Sequence, residues 1–416
     1  MRLQLTIGAA AITIAASVAM PLRAQDSALT AAYAAARVPI SVENDALGGE
    51  GGRRLMGAVT DAQYVLVGEE HGTVEIPRYV RALLGTLRPA GFTRFAIEIS
   101  PFGAERVNAL ARTKSPRAGL DTLYGDFIDA MAFYTLREEA DLLGWALAPF
   151  YGAKPMEIVG PDYDIIGERA ILRRLRQIAA PAARPAVDAV LRRAHEGFDL
   201  LKTSGNPSQL FSFSVSDTVL PTLRRAVRPA AGSEADRLLT ILERSAAINV
   251  AMAKGDNYGS NVLRARNLVE NYLVAHRAAP EARTLFKFGL NHVLRGANQT
   301  RTFDLGTLLP ALAEERGKRS VTVAMLGGPG SRRAAFSIAR IRYEPAEGEI
   351  GDREFASVRA AVPDGGSWLF DLAEVRRAVL RTQPKLPREE EVMLLGADYI
   401  VVIGGATPST ELPSRR

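Results

Sequence analysis

Residues 64–99, YVLVGEEHGTVEIPRYVRALLGTLRPAGFTRFAIEI, decide the architecture. The opening YVLVGE is a short apolar run closed by glycine and acid, the pattern of a buried strand. From Ile76 to Leu87 the apolar residues fall at helical spacing, and Pro89-Ala90-Gly91 ends that helix. RFAIEI at 94–99 is a second apolar run, closed by Ser100-Pro101. Strand, helix and strand within about thirty-five residues make a βαβ unit, so the two strands are expected to be parallel.

Working outward, 155–160 (PMEIVG), 284–289 (TLFKFG), 320–327 (SVTVAMLG) and 398–404 (DYIVVIG) read as further strands. A long helical stretch covers 120–148, and helices are expected at 304–316 and 370–380. No strand pattern appears between Asp164 and Thr284. Instead 167–179, 184–202, 234–254 and 260–277 carry helical periodicity, broken at Gly205-Asn206-Pro207 and at Gly232. The expected fold is α/β: a mostly parallel central sheet flanked by helices, with a large helical insertion at about 165–280. Residues 25–416 read as one domain, the insertion serving as a lid or a wall of the site. Segment 344–366, rich in Gly, Pro and acid, reads as irregular.

The 416 residues are 47% hydrophobic and 24% charged, which excludes wholesale disorder. With no cysteine, disulfides, thiolate metal sites and a cysteine nucleophile are excluded. Imidazole chemistry draws on four residues only, His71, His195, His276 and His292. The net charge of +6 is modest, and basic residues stand beside acids along helices, so no nucleic-acid surface is expected.

The N-terminus reads as an export signal. Arg2 precedes an apolar, Ala-rich segment from 3 to 20, followed by Pro-Leu-Arg-Ala and a polar Gln25-Asp26-Ser27. Residues 1–24 are expected to be removed after Ala24, with Ala19 as the second choice. The remaining chain would be periplasmic or secreted, without stable membrane insertion.

The positions of the polar residues are the informative feature. The first strand ends in Gly68-Glu69-Glu70-His71-Gly72. The second carries Glu98, the third runs into Pro161-Asp162-Tyr163-Asp164, and a later one runs into Asn291-His292. In a parallel sheet such ends share one edge, where ligands bind. A carboxylate at the end of a buried strand needs a partner, and several acids with two histidines can partner one another in a site. Asp164 suits a helix cap. His195 and His276 lie in Arg-rich helices and read as surface residues. Arg264 and Asn271 lie two turns apart on one helix face. That face is expected to point into the cleft, with Arg264 paired to Glu69, Glu98 or an anionic substrate group.

This set can activate water for attack on an ester or lactone, or hold a metal, and spacing alone does not choose between them. No phosphate-binding glycine loop follows the first strand, and no G-x-S-x-G elbow is present, which argues against kinases, dehydrogenases and ordinary serine esterases.

VLVGEEHGTVEIPRYVRALLGTL followed by GFTRFAIEIS resembles the opening of the erythromycin esterase-like proteins, part of a wider superfamily with haem-binding ChaN-like and TIKI/TraB proteins. NVLRARNLVENYLVAHR resembles that family's helix bearing Arg and Asn, here Arg264 and Asn271. LFKFGLNHVLRG resembles its later strand ending in Asn and His. FDLGTLLPALAEERGKRSVTVAMLGG and ADYIVVIGGATPSTEL are similar to its closing segments. The resemblance implies that Glu69, His71, Glu98 and His292 activate water and polarise the substrate without a metal. Two positions depart from the esterases. One residue, Glu70, separates Glu69 from His71 where they have two, as in the ChaN-like spacing. Leu290 or Gly289 stands where they carry a further histidine.

These readings lead to an exported hydrolase of an ester, lactone or amide. His71 is the general base, Glu69 or Glu98 orients it, and His292 polarises the carbonyl or protonates the leaving group. Glu70, Asp162, Arg264 and Asn291 are expected to bind the small-molecule substrate, with no cofactor. The alternatives are a haem- or metal-binding protein of the ChaN-like kind and a metal-dependent TIKI-like peptidase. Export has a direct check: the mass of the secreted or periplasmic form is expected to correspond to a chain starting at Gln25, and an intact Met1 would contradict it.

Overall fold

Both faces of the run at 64–69 are covered, which is why it is continuously apolar. Val65 and Val67 join one buried layer with Phe95, Ile97, Leu285, Val323 and the helix Glu75–Leu87. Tyr64 and Leu66 alternate to the other side, against Phe286, Phe288, Leu268, Tyr272 and Leu309. The computed structural model describes residues 24–126, 131, 133–152, 154–340, 342–346, 355–363, 365–381 and 386–412. The cleavage site expected after Ala24 adjoins residues 1–23, and these lie outside the described residues, as does part of the irregular segment at 344–366.

In chain order the strands are β1 (Arg37–Glu43), β2 (Ala46–Gly48), β3 (Tyr64–Glu69), β4 (Phe92–Ile97), β5 (Glu157–Val159), β6 (Arg283–Gly289), β7 (Ser320–Gly327), β8 (Ala334–Ser337), β9 (Arg342–Pro345), β10 (Ser367–Asp371) and β11 (Tyr399–Ile403). Nine of them form one sheet in the order β2-β1-β10-β11-β7-β3-β6-β4-β5, and β8 and β9 form a separate hairpin. From β11 to β5 every pairing is parallel. The fold is therefore α/β, with a mostly parallel sheet between helices. β6 inserts between β3 and β4, so the two strands of the first βαβ unit flank it rather than each other.

Some elements differ from the sequence reading. β1, β2 and β10 form an antiparallel extension of the sheet that the sequence did not announce. In β1, Val38, Ile40 and Val42 alternate, but Pro39 stands between them and proline counts against a strand. The helical stretch at 120–148 is two helices, Pro116–Asp126 and Arg137–Leu147. Between β5 and β6 the regular structure is helical. Glu168–Ile178, Arg184–Ser204, Val219–Val227 and Glu234–Ala253 enclose a core of their own around Ile171, Leu175, Val187, Leu239 and Leu242. The last helix of this group, Asn257–Ala278, packs on the sheet through Leu268 and Tyr272. Among the described residues, no helix is long and apolar enough to cross a membrane.

The carboxyl edge of the sheet is tied down by the segment 407–412. Thr407 O accepts from Val74 N (2.9 Å), Ser409 N donates to Gly72 O (2.9 Å), Thr410 O accepts from Arg137 N (2.8 Å) and Leu412 N donates to Thr135 O (2.9 Å). Gly72 also carries a close approach of its own, to β8, where Ala334 N donates to Gly72 O (2.8 Å). Its φ is +92°, and a Cβ there would lie 1.9 Å from Ala334 O. Gly72→Ala is expected to lower unfolding stability in urea by at least about 1–3 kcal/mol, the usual cost of such a backbone conformation for a residue with a side chain. An unchanged midpoint would contradict the assigned approach.

Candidate functional site

The register of the sheet brings the acids and histidines together. Glu69 ends β3 opposite Gly289 of β6, and Glu98 follows β4 on the other side of β6. The end of β6 therefore separates His71 from Glu98, and only a glycine lets them meet. A Cβ on Gly289 would lie 2.9 Å from His71 Nε2 and 3.4 Å from Glu98 Oε2.

Glu98 is the centre of the cluster. Its Oε2 accepts from Gly289 N (2.6 Å) and faces His71 Nε2 at 3.4 Å. Its Oε1 accepts from Arg264 Nη2 and faces His292 Nε2 at 3.6 Å. Arg264 reaches in from the Asn257–Ala278 helix and also holds Asp162, Nη2 to Oδ2 at 2.6 Å and Nε to Oδ1 at 3.1 Å. Each histidine has a carboxylate behind it: Glu69 Oε1 lies 2.7 Å from His71 Nδ1, and Asp304 Oδ2 lies 2.7 Å from His292 Nδ1. Both rings thus turn Nε2 towards one shared carboxylate.

The cluster is buried from behind and open in front. The side chains of Glu69, Glu98, Asp162 and Asp304 are each 1–2% exposed, whereas His71 is 22% and Arg264 19% exposed. His71 stacks on Phe133, with centroids 4.0 Å apart, and Arg264 lies over the Tyr163 ring. A bound molecule would therefore meet imidazole and guanidinium first, with the acids as their support.

These surroundings set the protonation states. Burial works against the His71 cation, but Glu98 and Glu69 outweigh it and raise the imidazole to about 9. Burial would raise Glu98, yet Arg264 and the two histidines hold it well below the ordinary carboxylate range. Burial and Arg264 lower His292, and Asp304 and Glu98 more than compensate, so it is raised.

Of the residues expected from the sequence, Glu69, His71, Glu98, Asp162, Arg264 and His292 meet here. Arg264 pairs with Glu98 and Asp162 and makes no contact with Glu69. Glu70 requires a correction as a substrate-binding residue: it accepts from Gly327 N (2.8 Å) and Arg359 Nη2 (2.6 Å), and so ties β7 and the Ala356–Ala360 helix to the sheet. Asn291 adjoins the cluster; its backbone carbonyl accepts from Asn298, and its side-chain oxygen is buried without a partner. Asn271 does not reach the cluster, donating to Pro161 O instead (2.9 Å). His276, read as a surface residue, sits half-buried near the start of β3, its Nδ1 3.1 Å from the Tyr64 hydroxyl. Asp164 accepts from Gly167 N (2.7 Å) ahead of the Glu168–Ile178 helix.

The sequence reading missed Asp304, which doubles as the cap of Leu305–Glu314, and the pair Lys287–Glu139. Lys287 Nζ lies 2.6 Å from Glu69 Oε1 and 2.7 Å from Glu139 Oε1. A lysine inside the apolar run TLFKFG was the available signal, because it demands a buried counter-ion. The donor set does not suit a resident metal ion. Both oxygens of Glu98 and Oε1 of Glu69 already face fixed cations or an amide, and among the described residues no group of three or more His, Asp or Glu side chains is arranged to hold one.

No protein-family model and no curated protein matches the sequence. Solved structures do. A succinoglycan biosynthesis protein is 16% identical with a TM-score of 0.58, covering 94% of this chain and 100% of its own. A Bacillus cereus protein is 14% identical with a TM-score of 0.57 and the same coverage, 94% and 100%. A histidine-to-asparagine variant of an erythromycin esterase, in its open conformation, is 14% identical with a TM-score of 0.56, covering 88% of this chain and 95% of its own. The chain thus shares the fold of the erythromycin esterase, as the motifs led one to expect; at these identities the likeness is one of fold.

The raised His71 has a thermodynamic consequence. A group whose folded-state pKa exceeds its unfolded value stabilises the fold fully below the unfolded pKa, near 6.5, and loses that contribution as pH rises through the folded value of about 9. Urea stability is expected to fall between those pH values, and the fall is expected to be shallower in His71→Gln. Identical slopes in the two proteins would show that His71 titrates normally.

Proposed function

We propose that this protein is a hydrolase that cleaves an ester or lactone with water activated by His71. The observation that carries the reading is the pair of carboxylate-backed imidazoles presenting Nε2 to the two oxygens of Glu98 at the open edge of the sheet. Glu69 on Nδ1 leaves Nε2 of His71 as the atom that takes a proton from water. The water oxygen bonds to the carbonyl carbon, and the carbonyl oxygen gains the negative charge. Arg264, partly exposed beside Glu98, is the fixed positive charge nearest the developing oxyanion. As the carbon–oxygen bond to the leaving group breaks, His292, raised and backed by Asp304, donates the proton that the alkoxide needs. The products are an acid and an alcohol. His71 is then one proton rich and His292 one proton poor, and Glu98 between them provides the return path.

The reading keeps a small-molecule substrate, no cofactor and export with removal of residues 1–24 as parts of the same proposal. The likeness to an erythromycin esterase supports the choice of an ester or lactone, and the engagement of Glu69 and Glu98 with lysine and arginine supports a mechanism without a metal.

The test is a panel of esters and lactones assayed with and without chelator. Activity is expected to persist with chelator. The rate constant kcat/KM, which reports free-enzyme ionisations, is expected to rise with pH through about 9, rather than through the ordinary histidine range that a solvent-exposed base would give. His71→Ala is expected to lower kcat/KM by roughly 10²–10⁴-fold, in a protein that circular dichroism still shows folded at the assay temperature. An active His71→Ala protein, or loss with chelator that added metal restores, would overturn the mechanism.

A further inference from the structure

Behind the open face of the site runs a chain of buried charged groups that the reaction as described does not use. Lys287 is in the middle of β6, on the same face of the sheet as Glu69, with its side chain 1% exposed. Glu139 comes from the Arg137–Leu147 helix, with its side chain 3% exposed. One oxygen, Glu69 Oε1, is shared by His71 Nδ1 at 2.7 Å and Lys287 Nζ at 2.6 Å, and the far side of the ammonium meets Glu139 Oε1 at 2.7 Å. The Tyr134 ring covers the ammonium at 5.5 Å. Glu139 Oε2 is buried without a hydrogen-bond partner.

A lysine and a second glutamate deep in a core are costly to bury, and an apolar pair of similar volume would pack at least as well. Their placement makes sense as control of the group in front of them. We propose that Lys287 and Glu139 are positioning residues that keep Glu69 anionic and aimed at His71 Nδ1, and that their opposed charges set how tightly His71 holds its proton. The proposal rests on the hydrolase reading, since His71 matters as a base only there. The ammonium, one oxygen away from the imidazole, disfavours the imidazolium. Glu139 beyond it offsets that repulsion. The two therefore act on His71 with opposite signs.

The groups facing Glu139 are Lys287, Glu69, His71 and the phenols of Tyr124, Tyr134 and Tyr343. Burial raises all three phenols above their ordinary range, which keeps them neutral here. Burial likewise raises Glu139, Lys287 pulls it back and Glu69 repels it, leaving it at about 7. It is therefore charged where His71 titrates.

The test is the NMR titration of the His71 ring in the free protein, which requires no substrate; four histidines make assignment by single substitution simple. Glu139→Gln is expected to lower the His71 midpoint by on the order of one pH unit, and Lys287→Met to raise it. Because Lys287→Met leaves two acids buried, the double variant Lys287→Met/Glu139→Gln provides the same comparison if the single one does not fold, with a midpoint expected above that of Glu139→Gln alone. Midpoints that stay in place, or that move in the same direction, would overturn the proposal, because they would show that the two charges do not set how tightly His71 holds its proton. Opposite shifts in a protein that hydrolyses nothing in the panel would sink the hydrolase reading and leave the control of His71 standing.

Discussion

A buried carboxylate at the end of a central strand is the constraint on which this molecule turns. Glu98 is shielded from water and cannot stay ionised there without compensation, because an isolated buried charge costs several kcal/mol or more. The protein answers with four groups from three parts of the chain: the amide of Gly289, the guanidinium of Arg264 and the imidazoles of His71 and His292. Each partner imposes a further requirement. The amide requires a bare glycine at the end of β6, the guanidinium requires Asp162 to balance it, and each ring requires its own acid on Nδ1. The site is thus the set of groups that together make one ionised carboxylate tolerable.

That logic explains what could be read in the sequence and what could not. Strands β3, β4 and β6 announce themselves as apolar runs, and acids or histidines at their ends stand out against them. Glu69, His71, Glu98 and His292 are legible for that reason. Asp304 was hidden by having an adequate explanation already, since an aspartate ahead of LGTLLPALAE is an ordinary helix cap. Glu139 was hidden by helical context, where a glutamate in the first turn needs no explanation. Glu70 erred in the opposite direction. Its place between two site residues suggested a shared role, but Arg359 and Gly327 claim it, and nothing local in the sequence foretold an arginine so distant along the chain. The antiparallel extension was obscured by Pro39 and by the brevity of β2 and β10.

The helices between β5 and β6 contribute to the site in a limited and definite way. Four of them enclose their own apolar centre, and one of these, Glu234–Ala253, is tied to the segment after β5 through polar links: Asp164 N donates to the Ser245 hydroxyl (2.9 Å) and Asn249 donates to Ile165 O (2.8 Å). The Asn257–Ala278 helix is different, for its second half packs on the sheet while its first half carries Arg264 over the edge. The arginine is therefore positioned by the sheet's own core on one side and by the Glu234–Ala253 helix on the other, where Ser260 donates to Ile248 O (3.1 Å) and Arg244 pairs with Glu270 (2.6 Å).

The strap at 407–412 bears on how the protein comes into being. It joins the loop after β3 to the segment that carries Phe133, the ring stacked on His71. The groups it secures are more than three hundred residues apart along the chain from Gly72 to Ser409, and closing contacts so distant is slow because the entropy of ordering the intervening chain is lost before the contacts repay it. A chain that has grown past Asp304 already carries the acids and histidines of the cluster, yet the loop after β3 and the Phe133 segment are joined by the strap only later, so the flank of the site is fastened after its centre has been made.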